Sequence, residues 1–183
     1  MKKVFLKIPS IDDLKYRQKW LKDPKSMIHN IGYDVDIKGY NREDGTITKT
    51  DEEMVEWYHN WVNKEPDKYF AYIYSTSEDE PLGEIYYQYD GKVHSMGVFI
   101  RNEYRGKGYS YLALLELEKI AFEKNNISEL SDIIPINRVA AIKSFEKAGF
   151  TQTEMEITDK RLGKEQISRQ LLITKEMYFK KVE

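Results

Sequence analysis

IRNEYRGKGYS, residues 100–110, decides how the chain folds. An apolar run ends at Ile100, a basic glycine loop follows, and an amphipathic segment starts immediately behind it. Gly106 and Gly108 carry no Cβ, so consecutive backbone N–H groups can turn toward one anion, while Arg105 and Lys107 add positive charge. Residues 109–124 place Leu114, Leu117, Ile120 and Ala121 at helical spacing, which aims a helix N-terminus at the same point. A strand, a glycine turn and a helix in that order make an anion cradle.

Upstream of the cradle, residues 69–75, 82–89 and 92–100 alternate as three strands, and Asp90-Gly91 is a hairpin signal between the last two. The expected product is an antiparallel meander. Further upstream, residues 4–8 read as a strand, Ser10 with Asp13 caps a helix to about Lys22, and Thr50 with Glu53 caps a second helix. Between these helices residues 28–49 show no period, and loops of that length in a compact domain are usually functional or mobile. Downstream come a strand over residues 127–134, a helix from Val139 stopped by Gly149, and two strands over 151–158 and 168–178. The order β-α-α-β-β-β-α-β-α-β-β predicts one α/β domain over residues 1–183 with a mixed sheet.

At 183 residues, 40% hydrophobic and 33% charged, with a net charge of −2, the chain has the composition of a soluble globular protein. Acids match the basic residues along most of its length, which argues against nucleic acid as a partner. Its apolar runs are too short to span a membrane and its first residues lack the apolar core of a signal peptide, so a cytoplasmic location is expected. The chain has no cysteine, and His29, His59 and His94 show no metal spacing. No metal is expected.

The cradle lacks the GxxxxGK[ST] pattern of a P-loop, and Tyr111 stands where a dinucleotide fingerprint needs its third glycine. A meander before the loop also conflicts with a Rossmann unit. What remains, Arg105-Gly106-Lys107-Gly108-Tyr109-Ser110, resembles the Q/R-x-x-G-x-G/A motif of the GNAT N-acetyltransferase family. INRVAAIKSFEKAGF, residues 136–150, is similar to that family's second signature, an asparagine followed by a helix ending in Y-x-K-x-G-F. The two motifs lie in the family's order, and the expected elements match its fold, including a central sheet that splays near Ile100.

The resemblance implies acetyl-CoA as co-substrate. It implies that backbone amides of Arg105, Gly106, Lys107, Gly108, Tyr109 and Ser110 hold the pyrophosphate. Val98, Phe99 and Ile100 would pair with the pantetheine arm, and Asn137 would meet it from the next strand. Three positions depart from the family pattern. Ser110 replaces a glycine or alanine, Asn137 lies one residue further from Gly149, and Phe145 stands where many members carry a tyrosine that protonates the leaving thiolate. Phenylalanine has no proton to give, so Phe145 is expected as an apolar wall beside the thioester, with water, Ser144, Tyr109 or nothing specific assisting departure.

For the base, His94 at the entry of the strand feeding the cradle and Glu84 on its neighbour are the candidates; a solvated hairpin histidine and an ion-paired strand carboxylate are the plain alternatives. Tyr33 and Tyr40, among Asp34, Asp36, Glu43 and Asp44 in the irregular loop, suit a cationic amine acceptor, although Lys38, Arg42 and Lys49 share the loop. DLKYRQKWLKDPKSM, residues 13–27, is similar to the branch that acetylates ribosomal-protein N-termini and related small amines. The expected acceptor is a small-molecule amine, with aminoglycosides and polyamines as the alternatives to that branch, or a peptide N-terminus. A coenzyme A-binding module without catalysis is the rival reading, and exposed sheet edges are compatible with a homodimer.

Overall fold

The computed structural model describes residues 3–183. Strands β1 (Val4–Lys7), β2 (Lys68–Ser75), β3 (Gly83–Tyr89), β4 (His94–Ile100), β5 (Glu129–Pro135), β6 (Thr151–Arg161) and β7 (Lys164–Thr174) form one seven-stranded sheet in the order β1-β2-β3-β4-β5-β7-β6. The helices are α1 (Leu14–Leu21), entered through a 3-10 turn, α2 (Pro24–Met27), α3 (Asp51–Trp61), α4 (Tyr109–Glu118), α5 (Val139–Ala148) and α6 (Lys175–Val182). Among the described residues no helix is long and apolar enough to cross a membrane.

Strand alternation sends side chains to opposite faces and so builds two cores. Ala71 and Ile73 of β2, Ile85 and Tyr87 of β3, and Met96 and Ile100 of β4 pack with Leu114 and Leu117 of α4 and Ile142 and Phe145 of α5. Phe70 and Tyr72, on the alternate positions of β2, pack instead with Leu14 and Trp20 of α1 and Met54 of α3. Both capping boxes are formed, Ser10 with Asp13 and Thr50 with Glu53. Pro24 opens α2 at a position that needs no amide, and the Asp23 carboxylate accepts the N–H groups of Lys25 and Ser26.

β1 to β4 form the meander, every neighbour antiparallel. β4 and β5 run parallel and pair at Ser95 with Ser131, then diverge. That divergence is the splay.

The chain's end differs from the sequence expectation. β7 begins at Lys164 and stops at Thr174, whose hydroxyl accepts the Met177 N–H and caps α6, so Tyr178 lies on a helix. Tyr178 buries its ring against Phe122 at 5.3 Å between centroids, which anchors α6 to the segment after α4. That segment, Lys119–Lys124, continues α4 as a π-helical turn.

Candidate active site

The cradle follows from two left-handed glycines. Gly106 has φ +71° and Gly108, the N-cap of α4, has φ +84°, conformations that a side chain disfavours. A Cβ at either position would meet no atom within 4 Å, so the loop opens onto free space directly over the helix N-terminus. Tyr109 turns its ring inward, edge-on to Tyr104, and leaves its backbone at the first turn of α4.

The gap between β4 and β5 follows from register. Arg101 donates to the Leu82 carbonyl across β3 and β4, so the odd positions of β4 bond to β3, and Val98 and Ile100 turn their backbone groups toward β5. Phe99 is on the β3 side, and its ring packs against Trp20 at 5.8 Å. In the same way Ile136 donates to Ile167 across β5 and β7, so Ser131 and Ile133 turn their backbone toward β4. Beyond Ser95 and Ser131 these edges have no strand between them among the described residues. They fit the extended arm of a ligand that supplies its own amides, and the open cradle at the end of β4 fits that ligand's phosphates.

A family model described as an acetyltransferase (GNAT) domain matches residues 4–151. The chain belongs to the GNAT acetyltransferase family. Acetyl-CoA is accordingly its co-substrate. No curated protein sequence is significantly similar to it. Among solved structures, spermidine N-acetyltransferase from Vibrio cholerae in complex with CoA and spermine superposes with a TM-score of 0.74 at 14% identity, covering 97% of this chain and 98% of that one. A GNAT-family acetyltransferase from Bacillus anthracis gives 0.69 at 15% identity over 95% and 96%. At these identities the likeness is one of fold.

In this GNAT domain the Arg105 side chain turns away from the cradle. Its Nε donates to the Ile100 carbonyl at 2.9 Å, and its two terminal nitrogens donate to the carbonyls of Lys25 and Ser26. The Arg105 amide donates to Asn102, and Asn102 in turn donates its N–H to the Ser26 hydroxyl. Arg105 therefore staples the cradle to α2. The Lys107 ammonium stands 5.3 Å from the Tyr104 ring centre, and Ser110 is half-buried on the first turn of α4.

Asn137 is exposed in the turn between β5 and α5. Phe145 is 1% exposed and packs edge-on against Phe150 at 4.9 Å, so it has no face to offer a ligand. Glu84 accepts from Arg17 Nε at 3.0 Å, and that guanidinium lies 4.1 Å over Trp57. Its carboxylate is committed to an interior ion pair. His94 opens β4, six residues or roughly 20 Å along the strand from Ile100. Burial lowers its pKa, partly offset by the charges of Asp67, Glu129 and Asp90. Tyr40 donates its hydroxyl to the Asn30 carbonyl and accepts the Tyr33 N–H, and the Tyr33 hydroxyl accepts from Gln166 at 2.7 Å. Both tyrosines shape the loop, and Tyr33 joins it to β7.

Two groups at the gap escaped the sequence reading. Asp132 follows the last paired position of β5, and its carboxylate accepts the Ile133 N–H, which points toward β4. Burial pushes its pKa up to about 7 against the lowering influence of that amide and of Arg138. Tyr86 lies across Gly97 of β4 so closely that a Cβ there would fall 2.7 Å from its hydroxyl. Burial, then the charges of Asp132 and Glu84, raise the phenol to about 12, so it keeps its proton. The available signal was the lone charge inside LSDIIP and the glycine opposite a tyrosine in register. A groove of about 480 Å³ between β1, α4 and α6 is remote from these groups.

Proposed function

We propose that the chain transfers an acetyl group from acetyl-CoA to a primary amine of a small molecule or a peptide N-terminus by direct attack on the thioester. The observation that carries this reading is the open glycine cradle at the N-terminus of α4, set at the end of a strand whose backbone at Val98 faces the gap beside β5. Amides of Gly106 to Ser110 would hold the pyrophosphate, Val98 and Ile100 the pantetheine arm, and Asn137 its far side. When bound, acetyl-CoA supplies an acetyl carbon already activated as a thioester.

Asp132 receives the proton that the attacking nitrogen loses, directly or through one water. A carboxylate titrating near neutral pH is matched to that task. Tyr86 offers an O–H beside Gly97, in place of the hydroxyl that Phe145 lacks. Positioning of amine and thioester supplies much of the rest of the rate. Polyamines are the acceptors named for the Vibrio cholerae enzyme. Here two of the loop's four acids are engaged, Asp34 with Arg42 and Asp44 with Thr46, and Lys38 of the loop pairs with Glu53 of α3.

The test is thermal unfolding with acetyl-CoA against ATP, followed by thiol release with a panel of amines. Saturation at about a hundred times the dissociation constant adds roughly 2.7 kcal/mol, a rise of several degrees. Gly108→Asp should lose both the rise and the turnover. A rise without amine-dependent thiol release from any acceptor would identify a binding module instead.

A further inference from the structure

The segment over residues 25–31 is gripped from two sides. From the cradle, Arg105 donates to the carbonyls of Lys25 and Ser26. From the β6–β7 hairpin, Arg161 donates to the Ile31 carbonyl at 2.6 Å and the Ile28 carbonyl at 3.3 Å, and its guanidinium lies 5.4 Å over the Tyr33 ring. His29 stands between the two clamps. A third guanidinium, Arg138 at the N-cap of α5, lies within electrostatic reach of Asp132, Tyr33 and Arg161.

None of these cations is held in an ion pair. Among the described residues no ion pair involves His29, Arg105, Arg138 or Arg161, and the half-buried guanidinium of Arg138 makes no hydrogen bond. Dehydration and then the fields of Arg138, Arg105 and Arg161 push the His29 imidazole down to about 4, as a concentration of positive charge requires. A partly dehydrated cation without a partner is costly, and an arriving anion offsets that cost. The cradle already provides for the coenzyme's pyrophosphate. Arg105 is committed to the carbonyls of Lys25 and Ser26 and Arg161 to those of Ile28 and Ile31, which leaves Arg138 as the guanidinium of the three with no hydrogen bond among the described residues.

We propose that Arg138, backed by Arg161, receives a carboxylate or phosphate carried by the acceptor close to its amine, so that the chain acetylates an amino acid or similarly anionic amine in preference to a polycation. The inference rests on the acetyl-transfer reading above. The nitrogen would face Asp132 while the anion meets Arg138, six residues further along the chain.

The experiment compares acceptors that differ by one carboxylate, lysine against cadaverine and phenylalanine against phenethylamine, with spermidine as the polycation, in the native protein, Arg138→Gln and Arg138→Lys. Because the carboxylate also changes the basicity of the amine, the quantity read is the change in each kcat/KM ratio between proteins, in which that effect cancels. Dissociation constants for acetyl-CoA are measured by calorimetry alongside. The expected result is a carboxylate preference that falls at least tenfold in Arg138→Gln, mostly through KM. It should be largely restored in Arg138→Lys, with acetyl-CoA affinity unchanged. Equal ratios in all three proteins overturn the proposal, and so does weaker acetyl-CoA binding with ratios unchanged, which would give the cations to the coenzyme's phosphates. Turnover of spermidine and cadaverine without carboxylate acceptors leaves acetyl transfer standing and removes the anionic acceptor. If acetyl-CoA neither binds nor is consumed, both readings fall.

Discussion

The role proposed for Asp132 is the one that titration reads most directly. Burial raises its pKa to about 7, so the carboxylate form needed to accept a proton grows in as pH rises through that value. The acidic limb of kcat/KM should therefore climb through about pH 7 and level off above it. Asp132→Asn should lower kcat by about a hundredfold or more and abolish this limb, while acetyl-CoA still raises the unfolding temperature. A variant profile that keeps the limb would exclude Asp132 as the proton acceptor. The same residue shows why candidate catalytic groups are less legible than the cradle. Gly106 and Gly108 declare a left-handed turn through their chemistry alone, whereas the role proposed for Asp132 depends on a strand divergence that no local pattern encodes. Arg105 illustrates the converse: within a glycine loop it reads as an anion ligand, and only the approach of Lys25 and Ser26, some eighty positions away in sequence, turns it into a staple.

At the level of elements, α5 depends on its ending. Gly149 occupies its C-cap with φ +109°, and a Cβ there would lie 3.0 Å from Cδ of Lys181, whose ammonium donates to the Ala148 carbonyl. Gly149→Ala should therefore cost about 1–2 kcal/mol, from the left-handed conformation and a shifted lysine, read as a lower midpoint in urea at an unchanged slope. A change within a few tenths of a kcal/mol would mean that the cap relaxes freely. This ending was legible because glycine after a helical period has a conformational meaning. The last element was not: β7 and α6 join without a glycine or proline, and residues 168–178 are apolar enough to continue a strand. Thr174 redirects them by capping, with Tyr178 held by the Phe122 ring. Helices, meander and cradle followed from periodicity and turn chemistry, but the irregular loop took its shape from Arg161 and Gln166, which belong to a distant hairpin.

The whole molecule divides the two faces of its sheet unequally, and the difference appears in its stability. On the α4 face, Glu118 is fully buried, paired with Lys181 of α6 through one oxygen, while its other oxygen has no partner among the described residues. Burial raises its pKa to about 7, although Lys181 acts in the opposite sense. A carboxyl group whose folded pKa lies above its unfolded one contributes its stability in full below the unfolded value and loses it as pH rises through the folded value. The native protein should thus lose about 2 kcal/mol between pH 5 and pH 8 through this group. His29, with its pKa lowered, acts in the reverse direction: its contribution is present above 6.5 and is lost as pH falls toward 4. Asp132 shares the sign of Glu118. Since His29 and Asp132 are common to the native protein and Glu118→Gln, subtracting the urea unfolding free energies of the two across pH 5–8 isolates Glu118. The variant should gain on the native protein steadily as pH rises. A constant difference would show that Glu118 stays ionised in the fold, with Lys181 outweighing the burial of its carboxylate.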